Sequence, residues 1–216
     1  MTTKDHARAA RATMFGAAIL GLSLAGLTAG PAAAKPLRGE IVNGSFEVPD
    51  VPPGTFQLVT EVPGWTSLGP WIEIQDHVAG DPAPGAGEQF AELDLVGFYQ
   101  DIQTVPGKTY ELTFLYSPRP NTAATENTFR VTAGSESVVI GPLTSGSTTD
   151  WQTYTLTFVA TSSVTRIQFE DLGTPSPGVG TYIDEVSVTR SVAQTCRPGY
   201  GYGDKNHCHT GPPGKA

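Results

Sequence analysis

The chain has 216 residues, with 13 Lys+Arg against 21 Asp+Glu, for a formal charge of −8 at pH 7. An acidic surface repels nucleic acid and anionic lipid, so neither is expected as a partner; neutral or cationic partners fit better. The length suits about one domain with a core that needs few staples, and the two cysteines both lie near the end of the chain.

In chain order, residues 1–34 read as a secretory signal peptide. Lys4, Arg8 and Arg11 form a basic start, residues 14–30 an apolar run, and Ala32–Ala34 a small-residue cleavage region. The run is short for a bilayer span, which needs about 20 residues; the alternative reading is an uncleaved anchor. No later stretch reads as a membrane span. Removal of residues 1–34 takes away three cations and one anion, leaving 10 Lys+Arg against 20 Asp+Glu, a charge of −10. The mature protein is therefore expected outside the cell, in solution or held at its surface.

Residues 35–190 read as one domain. No segment keeps a helical period. Short runs rich in Val, Ile, Thr, Tyr and Phe alternate with Gly, Pro, Asn and Ser, the pattern of strands and turns. About ten strands are expected: near 40–47, 56–60, 71–75, 88–95, 98–104, 109–116, 127–132, 136–140, 152–160, 164–170 and 180–189, one or two of them doubtful. In 109–116, Tyr110, Leu112, Phe114 and Tyr116 share one parity and Thr109, Glu111 and Thr113 the other. Tyr154, Leu156 and Phe158 repeat the pattern, as do Ile167 and Phe169. Such alternation marks strands with one buried and one wet face. The expected fold is all-β, an antiparallel β-sandwich. Pro63-Gly64 and Pro106-Gly107 mark turns.

The first and last strands each present a carboxylate. At 42–49, Val42 and Phe46 read as core-facing, with Glu47 directly behind. At 181–188, Val186 and Val188 set the core parity, which Tyr182 and Asp184 share. A buried, unpaired carboxylate is costly; Arg119, Arg166 or a metal ion would have to meet Asp184. If the terminal strands pair, Glu47 and Asp184 converge, and two such groups repel unless a cation separates them. Calcium prefers oxygen ligands, and carbonyls of Asn43, Gly44 and Ser45 would complete its shell. A turn cap or an arginine pair is the alternative for each carboxylate.

Residues 191–216 form a Gly/Pro-rich, irregular tail that lacks the aliphatic residues for a core. In an oxidising compartment Cys196 and Cys208 are expected as a disulfide. His207, Cys208 and His209 are consecutive, unlike the spaced ligands of structural zinc sites.

The ordered set Asn43–Glu47, Pro63–Trp65, Ile72–Ile74, Phe90–Asp94, Tyr99–Ile102, Pro106–Pro120 and Tyr182–Val188 resembles secreted proteins with galactose-binding-like jelly rolls. It looks closest to the group called domain of unknown function 642, of plant cell walls and bacterial exoproteins, and is similar to carbohydrate-binding modules of the same fold. The resemblance spans about residues 40–189. It implies an eight-to-ten-stranded sandwich, polysaccharide or cell-wall association rather than catalysis, and a structural calcium at Glu47 and Asp184.

Catalytic signatures are sparse. His77 is the one histidine of the domain, and no nucleophile-elbow sequence accompanies it. Glu73, Asp76, Glu88, Glu92 and Asp94 include carboxylate pairs that a glycosidase would need, with Glu92 and Asp94 on one strand face. Sugar sites use aromatic planes flanked by hydrogen-bonding groups. Candidates are Trp65, Trp71, Tyr99 and Trp151, with Asp76, His77, Gln100 and Arg119 as polar partners; core packing is the alternative for each ring. The expected protein is a secreted, monomeric, non-catalytic module that binds a glycan. An extracellular protein-interaction domain is the second reading, a glycoside hydrolase the third.

Overall fold

The computed structural model describes residues 39–94, 96–174 and 178–191. The signal segment, the tail and the Cys196–Cys208 pairing lie outside these residues. Among the described residues no helix is long and apolar enough to cross a membrane.

Among the described residues eleven strands form two antiparallel sheets. They are β1 (Thr55–Val59), β2 (Thr66–Ser67), β3 (Ile72–Asp76), β4 (Phe90–Glu92), β5 (Gly97–Gln103), β6 (Thr109–Ser117), β7 (Phe129–Ala133), β8 (Glu136–Ile140), β9 (Gln152–Val159), β10 (Val164–Asp171) and β11 (Tyr182–Arg190). One sheet has six strands in the order β1-β3-β4-β11-β6-β9, the other five in the order β2-β5-β10-β7-β8. The all-β sandwich is as expected, with one strand more than the resemblance implied; the addition is the two-residue β2.

Alternation explains the packing. Tyr110, Leu112, Phe114 and Tyr116 of β6 are all buried, as are Ile167 and Phe169 of β10. Phe114 meets Phe169 edge-on at 5.0 Å between centroids, and Phe169 meets Phe98 at 5.6 Å. Each such pair adds about 0.5–1.5 kcal/mol beyond its buried area. The Pro-Gly turns form as expected: Gly64 and Gly107 take φ of 83° and 74°, and Trp65 N donates to Val62 O at 3.0 Å.

Residues 40–47 are not a strand, which corrects the first expected element. Asn43 and Phe46 take φ of 53° and 55°, and the segment turns. Phe46 is buried, but Val42 is 40% exposed rather than core-facing. The Gln100 side chain replaces a pairing strand, because its amide accepts from Val42 N at 2.8 Å and donates to Val42 O at 3.0 Å. The segment still reaches β11, where Val186 N donates to Gly44 O at 2.9 Å. A Cβ on Gly44 would lie 2.0 Å from Val186 O, so only glycine permits this approach.

A bulge in β11 produces a second correction. Asp184 lies opposite Leu115 and Ser187 opposite Thr113, so Glu185 and Val186 together face the single Phe114. The bulge reverses parity. Ile183, Val186 and Val188 join the core, whereas Tyr182 and Asp184 share the outer face with Ser117 and Leu115. Both are nevertheless fully buried.

Candidate functional site

The outer face of the six-stranded sheet carries a row of polar side chains. In β3, Ile72 and Ile74 take the core, leaving Glu73 and Gln75 outward. Pairing sets Leu58 opposite Glu73, Glu73 opposite Glu92, and Glu92 opposite Tyr182. Phe56 lies opposite Gln75. Phe56, Leu58, Glu73, Gln75, Asp94 and Arg119 help to line a hollow of about 400 Å³ there.

The floor of this hollow is closely bonded. Arg119 Nη1 donates to Glu92 Oε1 at 2.6 Å, to Oε2 at 2.9 Å and to Gly178 O at 3.1 Å. Gly180 N donates to Glu92 Oε1 at 2.8 Å; a Cβ at Gly180 would strike Leu93 O, at 1.8 Å. Gln75 Nε2 donates to Glu73 Oε1 at 3.0 Å and also to Glu92 Oε2. Gly178 N donates to Asp94 Oδ1 at 2.7 Å.

Burial pushes the Glu92 carboxyl up to about 8, and the Glu73 charge adds to the rise, while Arg119 and the Gly180 N–H pull it back. Burial also raises Glu73, against hydrogen bonds from Gln75 and Glu92. Burial thus works against the charged form of both acids, and Arg119 works for it. These two acids are bridged by a single amide nitrogen. The pair thus forms part of the hydrogen-bonded floor of the hollow.

Asp184 is placed differently. Its Oδ1 accepts from Glu185 N at 2.7 Å, whereas its buried Oδ2 has no hydrogen-bond partner among the described residues. Burial pushes the carboxyl up to about 9; the Glu185 N–H opposes the rise, and the Glu185 and Glu47 charges add to it. Neither arginine expected for Asp184 meets it. Arg119 pairs with Glu92 and Arg166 with Asp101 at 2.8 Å. Glu47 Oε1 accepts from Glu88 N and Gln89 N, both at 3.0 Å, and so fixes the loop before β4. A buried orphan oxygen and a second carboxylate within electrostatic reach are donors that suit a hard, oxygen-seeking cation.

The residues expected to bind sugar do not gather in one place. Trp65 is buried, stacked on Phe46 at 5.2 Å and met edge-on by Phe98 at 5.2 Å. With its faces packed and its Nε1 donating to Asn43 O, it is a core residue. Gln100 is buried and committed to Val42. These two assignments are corrected. The ring of Tyr99, on the five-stranded sheet, is covered by the Arg166 guanidinium at 3.6 Å. Trp151 packs against Phe90 at 5.5 Å and donates to Asp81 O at 2.8 Å. Trp71 is half-buried, and its carbonyl accepts from Ser67 Oγ. Asp76 and His77 pair at the end of β3. Arg119 alone of the eight lines the hollow. Phe56 and Leu58 were not expected there; their alternation around Gln57 was the available signal.

Fold and site together define a jelly-roll β-sandwich with a polar-floored hollow on one sheet. Residues 39–189 match the family described as "Protein of unknown function (DUF642)", and the chain belongs to that family. No curated protein matches the chain. Solved structures similar to it include one titled "CBM4 structure and function", at 20% identity over 70% of this chain and 99% of that one, TM-score 0.41. Another is TmCBM61 in complex with β-1,4-galactotriose, at 12% identity over 72% of this chain and 100% of that one, TM-score 0.41. A third is an arabinose-bound MgGH51 α-L-arabinofuranosidase, at 17% identity over 71% of this chain but 27% of the enzyme, TM-score 0.48. At such identities the likeness is one of fold.

Proposed function

We propose that this protein is an exported, non-catalytic module that binds carbohydrate in the hollow of the six-stranded sheet and carries a structural calcium at Glu47 and Asp184. The observation that carries the reading is the pairing of Phe56 and Leu58, 51% and 46% exposed, with the polar floor of Glu73, Gln75, Asp94 and Arg119. A pyranose has an apolar C–H face and a hydroxyl rim. The Phe56 ring offers a stacking plane, and the floor offers both donors and acceptors for the rim. A hollow of about 400 Å³ is of the size that holds small ligands. Because the floor is already hydrogen-bonded, it is set in place before a sugar arrives, which lowers the entropy lost on binding. The calcium would take the place of the proton on Asp184 and tie the first turn to β11.

Retention on a panel of neutral polysaccharides in affinity electrophoresis tests the reading. The parent is expected to be retarded by at least one of them, and Phe56→Ala to lose about 10-fold or more in affinity, the scale of one lost stacking contact. Retardation by none, or equal retardation of Phe56→Ala, would refute it. A second reading rests on β1, an edge strand that keeps Phe56 and Leu58 exposed. Such an edge can accept a strand from a protein partner. Absence of glycan retention, with capture of an extended peptide at β1, would favour it.

A further inference from the structure

We propose that Asp76, His77 and Glu88 form a second cation site that takes a borderline divalent transition ion, with Zn²⁺ as the matching probe. A ligand atom of each residue lies within 4.8 Å of the other two. Asp76 ends β3, and His77 follows it directly. Glu88 comes from the loop before β4, and Glu47 grips that loop through Glu88 N and Gln89 N. Gln89 holds it further by donating to Phe46 O at 2.8 Å and Pro49 O at 3.0 Å. Two separately anchored segments thus bring the three side chains together.

A second observation is independent of the clustering. The Asp76 side chain is 4% exposed, and its one side-chain partner among the described residues is His77 Nδ1, at 2.6 Å. A carboxylate taken so far from water needs a counter-charge; among the described residues no Lys or Arg pairs with it, and His77, itself a member of the cluster, is the one group there that could supply it. The buried group lies at the bottom of the cluster, whereas His77 and Glu88 are exposed at its mouth.

The donor set decides the ion. One imidazole with two carboxylates suits zinc and its neighbours, whereas calcium prefers oxygen alone. Ligand atoms around tetrahedral zinc lie about 3.4 Å apart, given bond lengths of about 2.1 Å. The two exposed side chains would close that gap by rotation while Asp76 stays fixed. Three protein ligands leave a fourth position for water on the open side. The ion would link β3 to the loop that Glu47 also holds. Its donor set differs from that of Glu47 and Asp184, so the two sites are separable.

Calorimetric titration of the full chain with ZnCl₂ tests the proposal, with calcium present in excess so that oxygen-only sites are filled. His207 and His209 near the C-terminus are zinc ligands by chemistry, so a His207→Ala/His209→Ala double variant serves as the background. That background is expected to bind one equivalent of zinc. Adding His77→Ala or Glu88→Gln should weaken this binding by at least about 10-fold, as loss of a metal ligand does. Glu88 is exposed, so its variant should keep the parent melting temperature without metal and decides the case if His77→Ala is less stable. No zinc bound by the background, or equal binding by Glu88→Gln, would overturn the proposal.

Discussion

Glu92 and Asp184 sit on adjacent strands of one sheet, both on its outer face and both buried, yet they have opposite surroundings. Glu92 has Arg119, Gln75 and the Gly180 N–H around it. Asp184 has one N–H and an orphan oxygen, with two further negative charges acting on it. The first arrangement is complete within the protein and serves as a rigid polar floor. The second is incomplete within the described residues, and it is there that a cation is proposed. A buried carboxylate is thus no signature of one function; its unmet valences distinguish floor from seat.

The comparison breaks most visibly at Arg119. Arg119→Met leaves Glu92 and Glu73 without their cation, and removing one partner of a buried pair costs about 3–5 kcal/mol. Urea unfolding at pH 7 should show a loss of that order; a loss under about 1 kcal/mol would mean that the floor does not depend on the pair.

A smaller effect follows from pH. Asp184 and Glu92 have folded values of about 9 and about 8, against about 4 in the unfolded chain. Between these limits the native state holds protons that the unfolded chain has released. Their stability contribution is complete below about pH 4 and is lost as pH rises through the folded values. Metal-free protein should lose stability steadily from pH 5 to pH 8, by at most about 1.4 kcal/mol per pH unit for each group. A flat or rising profile would contradict both assignments.

Asp184→Asn should sharpen the contrast from the other side. The amide removes the cost of taking up a proton at Asp184 on folding and so stabilises metal-free protein at pH 8 by at least about 1 kcal/mol, while Glu92→Gln, which unpairs Arg119, should not stabilise. Least affected should be the Arg166–Asp101 pair, whose side chains are 47% and 41% exposed. Arg166→Ala should change stability by less than about 1 kcal/mol in the same unfolding experiment.

Much of the fold was legible from parity. The alternation in β6, β9 and β10 gave the strands and their inward faces, because a two-residue period leaves one choice once a core side is set. Two features escaped it. A turn at 40–47 replaces a strand because Asn43 and Phe46 take positive φ and Gln100 supplies the missing backbone partner; neither is written in local composition. The β11 bulge reverses parity after Asp184, and Val186 within it donates to Gly44 O, a partner distant in sequence. The site was less legible still. Aromatic residues look alike whether they fill the core, as Trp65 does, or stand at a rim, as Phe56 does; only the register of β1 on β3 separates the two. Asp184 was read as buried and partner-seeking, and it is, although on the opposite face.

The most direct test of the contrast between floor and seat is thermal melting at pH 7.5, in calcium and in EDTA, for the parent and Asp184→Asn. A ligand at 100 times its dissociation constant adds about 2.7 kcal/mol, or about 5–10 °C for a protein of this size. Calcium should raise the parent by an amount of that order and leave Asp184→Asn unmoved. A parent that melts at the same temperature in both solutions, or a variant that responds as fully as the parent, would contradict the cation seat at Asp184.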